Sequence, residues 1–295
     1  MHSEDGRMAA KRLAGRTALV TGSSRGIGRA IAQRLAAEGA TVVVTARSVD
    51  ASAGNPGTLR ETVELIEAKG GRAIPIACDL ERQEECERLI ETVTKAVGPI
   101  DILVNNAGLA EYVPLESMPL DLFDRTLTHY LRAPFILTQA VIPQMRARGA
   151  GWIVNIGSVT AQPPIKPYSV FDTDVGSTVY ATAKAAMNRF TQGAAAELLA
   201  SNIAVNMVAP STAILTPGAA RYIPDDYPGE NVAYLAHTVV EMCHLPAAER
   251  SGLLAHSMHF PAAHKLAVLD LDGATPLPPA QIPAWSHPAV NPFGE

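Results

Sequence analysis

Residues 17–28 read Thr17-Ala-Leu-Val-Thr21, then Gly22-Ser-Ser-Arg-Gly26, then Ile27-Gly28. A short apolar run, a glycine-rich turn and apolar residues at Ile27, Ile31 and Leu35 describe a strand, a tight turn and an amphipathic helix to about Glu38. Gly39 is a natural stop for that helix. The glycines at 22, 26 and 28 let backbone N–H groups approach an anionic ligand at the helix N-terminus. Glycine spacing alone is a weak signal; its place between strand and helix strengthens it.

The same alternation continues outward. Thr41–Thr45 is a β-branched second strand, and Asp50–Gly57 has the composition of a loop. A helix over about Leu59–Lys69, a strand near Arg72–Cys78, a helix over Gln83–Val97 and a strand at Ile102–Asn105 follow. A long helix, Leu122–Arg148, is expected to kink at Pro134 and Pro143. Then come a strand at Trp152–Ile156, a helix over Val179–Leu199 and a strand at Ile203–Val208. After Pro210 the periodicity weakens, with helix at Tyr234–Cys243 and a last strand at Leu253–Ser257. Repeated strand–helix units with short links specify an α/β fold, a doubly wound parallel sheet with helices on both faces. Six prolines between 276 and 292 predict an extended tail lying on the surface or on a partner subunit. No clean domain boundary is visible; the expected organisation is an N-terminal tail (1–13), one α/β domain (14–260) and a proline-rich extension (261–295).

Composition narrows the class. Of 295 residues 47% are hydrophobic and 18% charged, which excludes a disordered chain. The formal charge of −5 disfavours a protein that binds nucleic acid by neutralising phosphates. Three cysteines, Cys78, Cys86 and Cys243, form no CxxC pair, so a reducing cytoplasm is expected. The longest uncharged run, Leu198–Ala220, is broken by Asn202, Asn206, Pro210 and Pro217, so no membrane span is expected. His256, His259 and His264 lie close in sequence, but no carboxylate cluster accompanies them and no metal site is expected.

The end of the second strand should meet an adenine ribose, where a carboxylate would bind both hydroxyls. Here it reads Thr45-Ala46-Arg47-Ser48, and Arg47, with Arg25 in the glycine turn, favours the extra phosphate of NADP(H). Asp79 after the third strand could take a bond from the adenine amino group, and Asn105-Asn106-Ala107-Gly108 after the fourth could hold backbone against the cofactor. Ser158 follows the fifth strand, and Tyr180-Ala-Thr-Ala-Lys184 places a phenol and an ammonium on one helix face. A lysine cation beside the phenol favours phenolate and brings its pKa toward neutrality.

TGSSRGIG, NNAG, Ser158 and YATAK, in this order and on these elements, resemble the short-chain dehydrogenase/reductase family over roughly residues 14–260. The resemblance implies a Rossmann-type sheet of about seven strands and hydride exchange between a nicotinamide and a secondary alcohol or ketone. It implies Tyr180 as general acid–base, Lys184 holding the nicotinamide ribose, and Ser158 fixing the substrate oxygen. Expected cofactor contacts are Gly22, Ser24, Arg25, Gly26, Ile27, Gly28, Arg47, Asp79, Leu80, Asn106, Ala107, Gly108, Tyr180, Lys184, Pro210 and Thr216. It further implies a homodimer or homotetramer packed through the two long helices flanking the fifth strand. Two alternatives stay open: a nucleotide-binding regulatory or scaffolding protein, and a sugar-nucleotide epimerase or dehydratase.

The chain departs from the family pattern in several places. Tyr130 stands where an asparagine usually helps hold a water beside the lysine, and His129 is a neighbour open to a relay role. Ser158 and Tyr180 are 22 residues apart, and the extra segment 162–176 is expected to form a loop beside the substrate. Pro210-Ser211 replaces a common Pro-Gly. Ala213–Tyr227, with Tyr222 and Tyr227, is expected to form a mobile lid over an apolar substrate.

Overall fold

The computed structural model describes residues 11–50, 57–216, 218–219, 223 and 226–295. Its centre is a seven-stranded parallel sheet in the order β3-β2-β1-β4-β5-β6-β7. The strands are β1 (Thr17–Thr21), β2 (Thr41–Ala46), β3 (Arg72–Ala77), β4 (Ile102–Asn105), β5 (Gly151–Ile156), β6 (Ile203–Ala209) and β7 (Leu254–His256). β1 pairs with β2 on one side and β4 on the other, so the order reverses beside β1. A ligand crevice opens at such a reversal, outside the carboxyl ends of the strands.

Successive strand residues point to opposite faces, and here both faces are covered. Val20, Val42, Val44, Val104 and Val208 pack under α1 (Gly26–Ala37), α2 (Leu59–Glu67) and a later helix, Val232–Glu241. Leu19, Val43, Leu103, Ile153 and Val205 pack on the other face, under α3 (Gln83–Val97) and two further helices, 133–148 and 178–198.

The long helix before β5 starts at Leu120 and changes character midway. α4 (Leu120–Leu127) runs into a π-helical turn at Thr128–Arg132, then into α5 (Ala133–Arg148). Pro134 has no N–H for the carbonyl of Tyr130 four residues earlier, and its ring crowds that turn. The wider turn places this adjustment ahead of Pro134, while α5 runs through Pro143 uninterrupted.

The segment 162–176 is a loop carrying one short helix, α6 (Val170–Asp174), started by a reciprocal Ser169–Asp172 capping box. α7 (Thr178–Leu198), α8 (Val232–Glu241) and α9 (His259–Ala263) complete the helices named here. The proline-rich extension folds back on its own domain. Leu269 donates its N–H to His237 Nδ1 at 3.1 Å, the Tyr234 hydroxyl donates to Pro278 O at 2.7 Å, and Leu254 of β7 donates to Gly294 O at 2.7 Å. Val290 is buried in this packing.

Candidate active site

The turn after β1 is built to admit backbone and nothing larger. Gly22 and Gly26 hold positive φ angles of 65° and 54°. A Cβ on Gly28 would sit 2.3 Å from Gly22 O, so only glycine fits there. The turn is locked from β4. Asn106 Nδ2 donates to Thr21 O at 2.8 Å, and the N–H groups of Asn106 and Ala107 both reach Thr21 Oγ1. The Asn106 amide therefore shapes the turn, a role the sequence left open. Arg25 precedes α1 in extended conformation without capping it, so the first N–H groups of that helix carry no side-chain cap. That cradle fits a pyrophosphate. Thr216 lies against Gly26, with its Cβ 3.4 Å from where a glycine Cβ would be. Ser24 gives its carbonyl to the Arg29 guanidinium, which also meets Thr62 and Glu61.

Arg47 is exposed at the end of β2, and no carboxylate among the described residues pairs with it. Asp79 sits at the carboxyl end of β3, where its Oδ1 accepts the Glu81 N–H at 3.1 Å. Leu80 turns its side chain into the core, so its backbone is what it offers a ligand.

Tyr180 and Lys184 meet as their helical spacing requires, but their surroundings alter the expected electrostatics. Lys184 is 4% exposed and donates to Ile156 O at 2.7 Å. Burial pushes its ammonium down to about 7. Burial also raises the Tyr180 phenol above the ordinary tyrosine range, while hydrogen bonds with Ser158 and Tyr130 act to lower it. The expectation that the lysine brings the phenol toward neutrality is thus corrected for the protein alone: desolvation outweighs the two hydrogen bonds. Ser158 stands at the end of β5, its Oγ 2.8 Å from Thr160 Oγ1.

Two further tyrosines enclose the Tyr180 ring. The Tyr180 ring is met edge-on by Tyr112 at 5.2 Å and by Tyr130 at 5.3 Å, centroid to centroid. Tyr130 is buried, and Lys184 Nζ stands 4.1 Å from its ring centroid, a cation–π contact that favours the charged amine. Gly108 makes room for it, because a Cβ there would lie 2.3 Å from the Tyr130 ring. Tyr112 escaped the sequence reading, and only its place four residues beyond NNAG hinted at it. It is backed by Phe171 of α6 at 5.9 Å, and Val113 donates to Gly176 O, so the 162–176 segment packs on the loop after β4.

His129 does not serve Lys184. Its Nε2 lies 3.0 Å from Glu81 Oε1, in a cluster shared with Arg125. Past Pro210, the Ser211 and Thr212 N–H groups both donate to Glu230, and Ser211 Oγ lies 2.9 Å from His259 Nδ1. A serine where the family often has glycine thus ties the turn to α9. His264 packs on Phe260, His256 is buried with neither ring nitrogen hydrogen-bonded, and no cluster of metal-binding side chains occurs among the described residues. Tyr222 of the expected lid lies outside the described residues.

Residues 16–225 match the family model for short chain dehydrogenases. A short chain dehydrogenase of Pseudocercospora fijiensis is 37% identical over 216 residues, 72% of this chain and 63% of that relative, so the chain spans under two thirds of its length. A metagenomic short-chain oxidoreductase solved with NADP is 31% identical, with a TM-score of 0.67 over 83% of this chain and 98% of that one. A 3-oxoacyl (acyl-carrier-protein) reductase from Agrobacterium tumefaciens with NADP bound is 28% identical, with a TM-score of 0.71 over 87% and 98%. Sheet order, glycine cradle, and the Ser158, Tyr180 and Lys184 cluster agree with these likenesses: the chain belongs to the short-chain dehydrogenase/reductase family.

Proposed function

We infer that the protein is an NADP(H)-dependent oxidoreductase that interconverts a secondary alcohol and a ketone. The observation that carries this reading is the cluster of Ser158, Tyr180 and Lys184 at the carboxyl ends of β5 and α7's first turns, beside the cradle of Gly22, Gly26 and Gly28. When bound, the nicotinamide gives or takes the hydride at its C4.

The chain's own groups do the rest. The first turn of α1 and Thr216 hold the pyrophosphate side, Arg47 meets the ribose phosphate, and Asp79 stands near the adenine. Backbone from Asn106 to Gly108 and from Pro210 borders the nicotinamide end. Ser158 fixes the substrate oxygen. Tyr180 Oη gives a proton to that oxygen in reduction and takes it back in oxidation. Lys184 holds the nicotinamide ribose, and its charge favours the phenolate once the cofactor's own positive field is added. The Tyr130 hydroxyl, on the ring that meets Tyr180 edge-on, serves as a second donor to Tyr180 Oη and acts to lower that phenol's pKa.

The regulatory alternative is disfavoured because all three reactive side chains are present in one cluster. The decisive experiment is a panel of ketones and alcohols followed by nicotinamide absorbance. Turnover of at least one, with NADPH preferred over NADH, supports the reading, and NADPH binding without any turnover favours the regulatory role.

Two further expectations have support of their own. Phe135 is exposed on α5 and shares a surface cleft with Phe190 of α7, which suits a homodimer or homotetramer packed there. Cys78, Cys86 and Cys243 are free and buried, which suits the cytoplasm. No described helix is long and apolar enough to cross a membrane.

A further inference from the structure

The C-terminal extension ties together the loops that leave the carboxyl ends of β5 and β6. His287 Nε2 lies 3.2 Å from Pro163 O, in the segment that follows Ser158. Ser286 Oγ lies 3.5 Å from His259 Nε2, and His259 in turn holds Ser211 beside Pro210. Trp285 meets Tyr227, at the end of the expected lid, edge-on at 5.4 Å. Three consecutive residues thus span from the β5 loop to the β6 loop, on the side of the cleft away from β4.

Exposed apolar side chains gather on the same three segments. Tyr168 and Val170 on the 162–176 segment are 51% and 72% exposed, Leu215 on the lid 54%, and Trp285 on the strap 53%. Clustered exposed apolar side chains mark ligand or partner sites. The family model ends at residue 225, so the strap lies beyond what family membership accounts for.

We propose that Trp285 and His287 are specificity-determining residues, with Trp285 forming the outer wall of the substrate cleft and His287 pinning it to the β5 loop, and that the substrate is an apolar, ring-bearing alcohol or ketone. The proposal rests on the oxidoreductase reading above. Trp285 offers a broad rigid face that recognises a ring at low entropic cost. Among the described residues the strap's hydrogen bonds and ring contacts run to Pro163, His259 and Tyr227 and none to the cradle around Gly22, so it acts on substrate choice and not on the cofactor.

The test compares a one-ring ketone, cyclohexanone, with a two-ring ketone, β-tetralone, in the full-length protein. Trp285→Ala should lower kcat/KM for β-tetralone about tenfold relative to cyclohexanone, mainly through KM. His287→Ala should shift the ratio in the same direction by less. NADPH affinity should stay within about twofold in both, since neither residue meets the cradle. Calorimetric titration of β-tetralone into NADP⁺-saturated protein should show the same weakening without turnover. Both residues have surface exposure, so the variants retain the core. An unchanged β-tetralone to cyclohexanone ratio overturns the proposal and leaves the oxidoreductase reading intact. Failure of the wild type to bind or reduce any ketone overturns both.

Discussion

Replacing Tyr130 with Phe removes one oxygen and keeps the ring that packs on Gly108 and faces Lys184 Nζ at 4.1 Å. The cation–π contact survives, so the change isolates the hydroxyl's bond to Tyr180. A hydrogen bond to a charged oxygen is worth about 1.5–3 kcal/mol, and part of this favours phenolate over phenol. Tyr180 retains some solvent exposure, so the lower end applies. At about 1.4 kcal/mol per unit, its pKa should rise by about one unit. Alcohol oxidation needs the phenolate, so the acid-side limb of its pH profile should move up by that unit and its kcat near neutrality should fall about tenfold. Ketone reduction uses the neutral phenol and should persist to higher pH than in the wild type. NADPH affinity should not change. The measurement is kcat against pH in both directions for wild type and Tyr130→Phe. Superimposable profiles would refute the second-donor role of Tyr130.

Three other outcomes follow from the geometry. Tyr180→Phe should fold and bind NADPH but lose about 10²–10⁴-fold in kcat, and a near-wild-type rate would remove Tyr180 from the chemistry. Arg47→Ala should narrow the preference for NADPH over NADH about tenfold, because one charge-assisted phosphate contact is lost; titration of both nucleotides checks it. Burial holds His237 and His256 down to about 4 in the folded protein, whereas unfolded imidazoles titrate near 6.5. Between those values the unfolded chain binds more protons, so unfolding free energy should fall as pH drops, by up to about 1.4 kcal/mol per unit for each histidine. A urea midpoint that stays flat from about pH 6.5 to about pH 4.5 would contradict this.

The parts of the molecule that were legible in sequence are those governed by local rules. The β1–α1 turn could be read because Gly22 and Gly28 have no substitute at their backbone positions. Tyr180 and Lys184 could be paired because helical periodicity fixes their relation. Tyr112 could not be placed, since nothing local says that the loop after β4 folds onto α7. The π-helical turn escaped because Pro134 predicts a disturbance without fixing its form. His129 chose Glu81, 48 residues away, over the neighbour that sequence suggested. The sign of the Tyr180 shift depends on how dry the site is, which only the packed structure reveals.

The bond from Leu254 to Gly294 O has a consequence for how the molecule survives in concentrated solution. β7 is only three residues long and stands at the end of the sheet, with β6 on one flank. An outer strand with open backbone groups is a template for another chain's strand, and proteins guard against that by shortening or covering it. Here the last residues do the covering, and Gly294 comes so close that a Cβ would lie 3.3 Å from the Ala255 backbone. The segment around Gly294 thus acts as a guard against aggregation, and deleting residues 291–294 would strip it away.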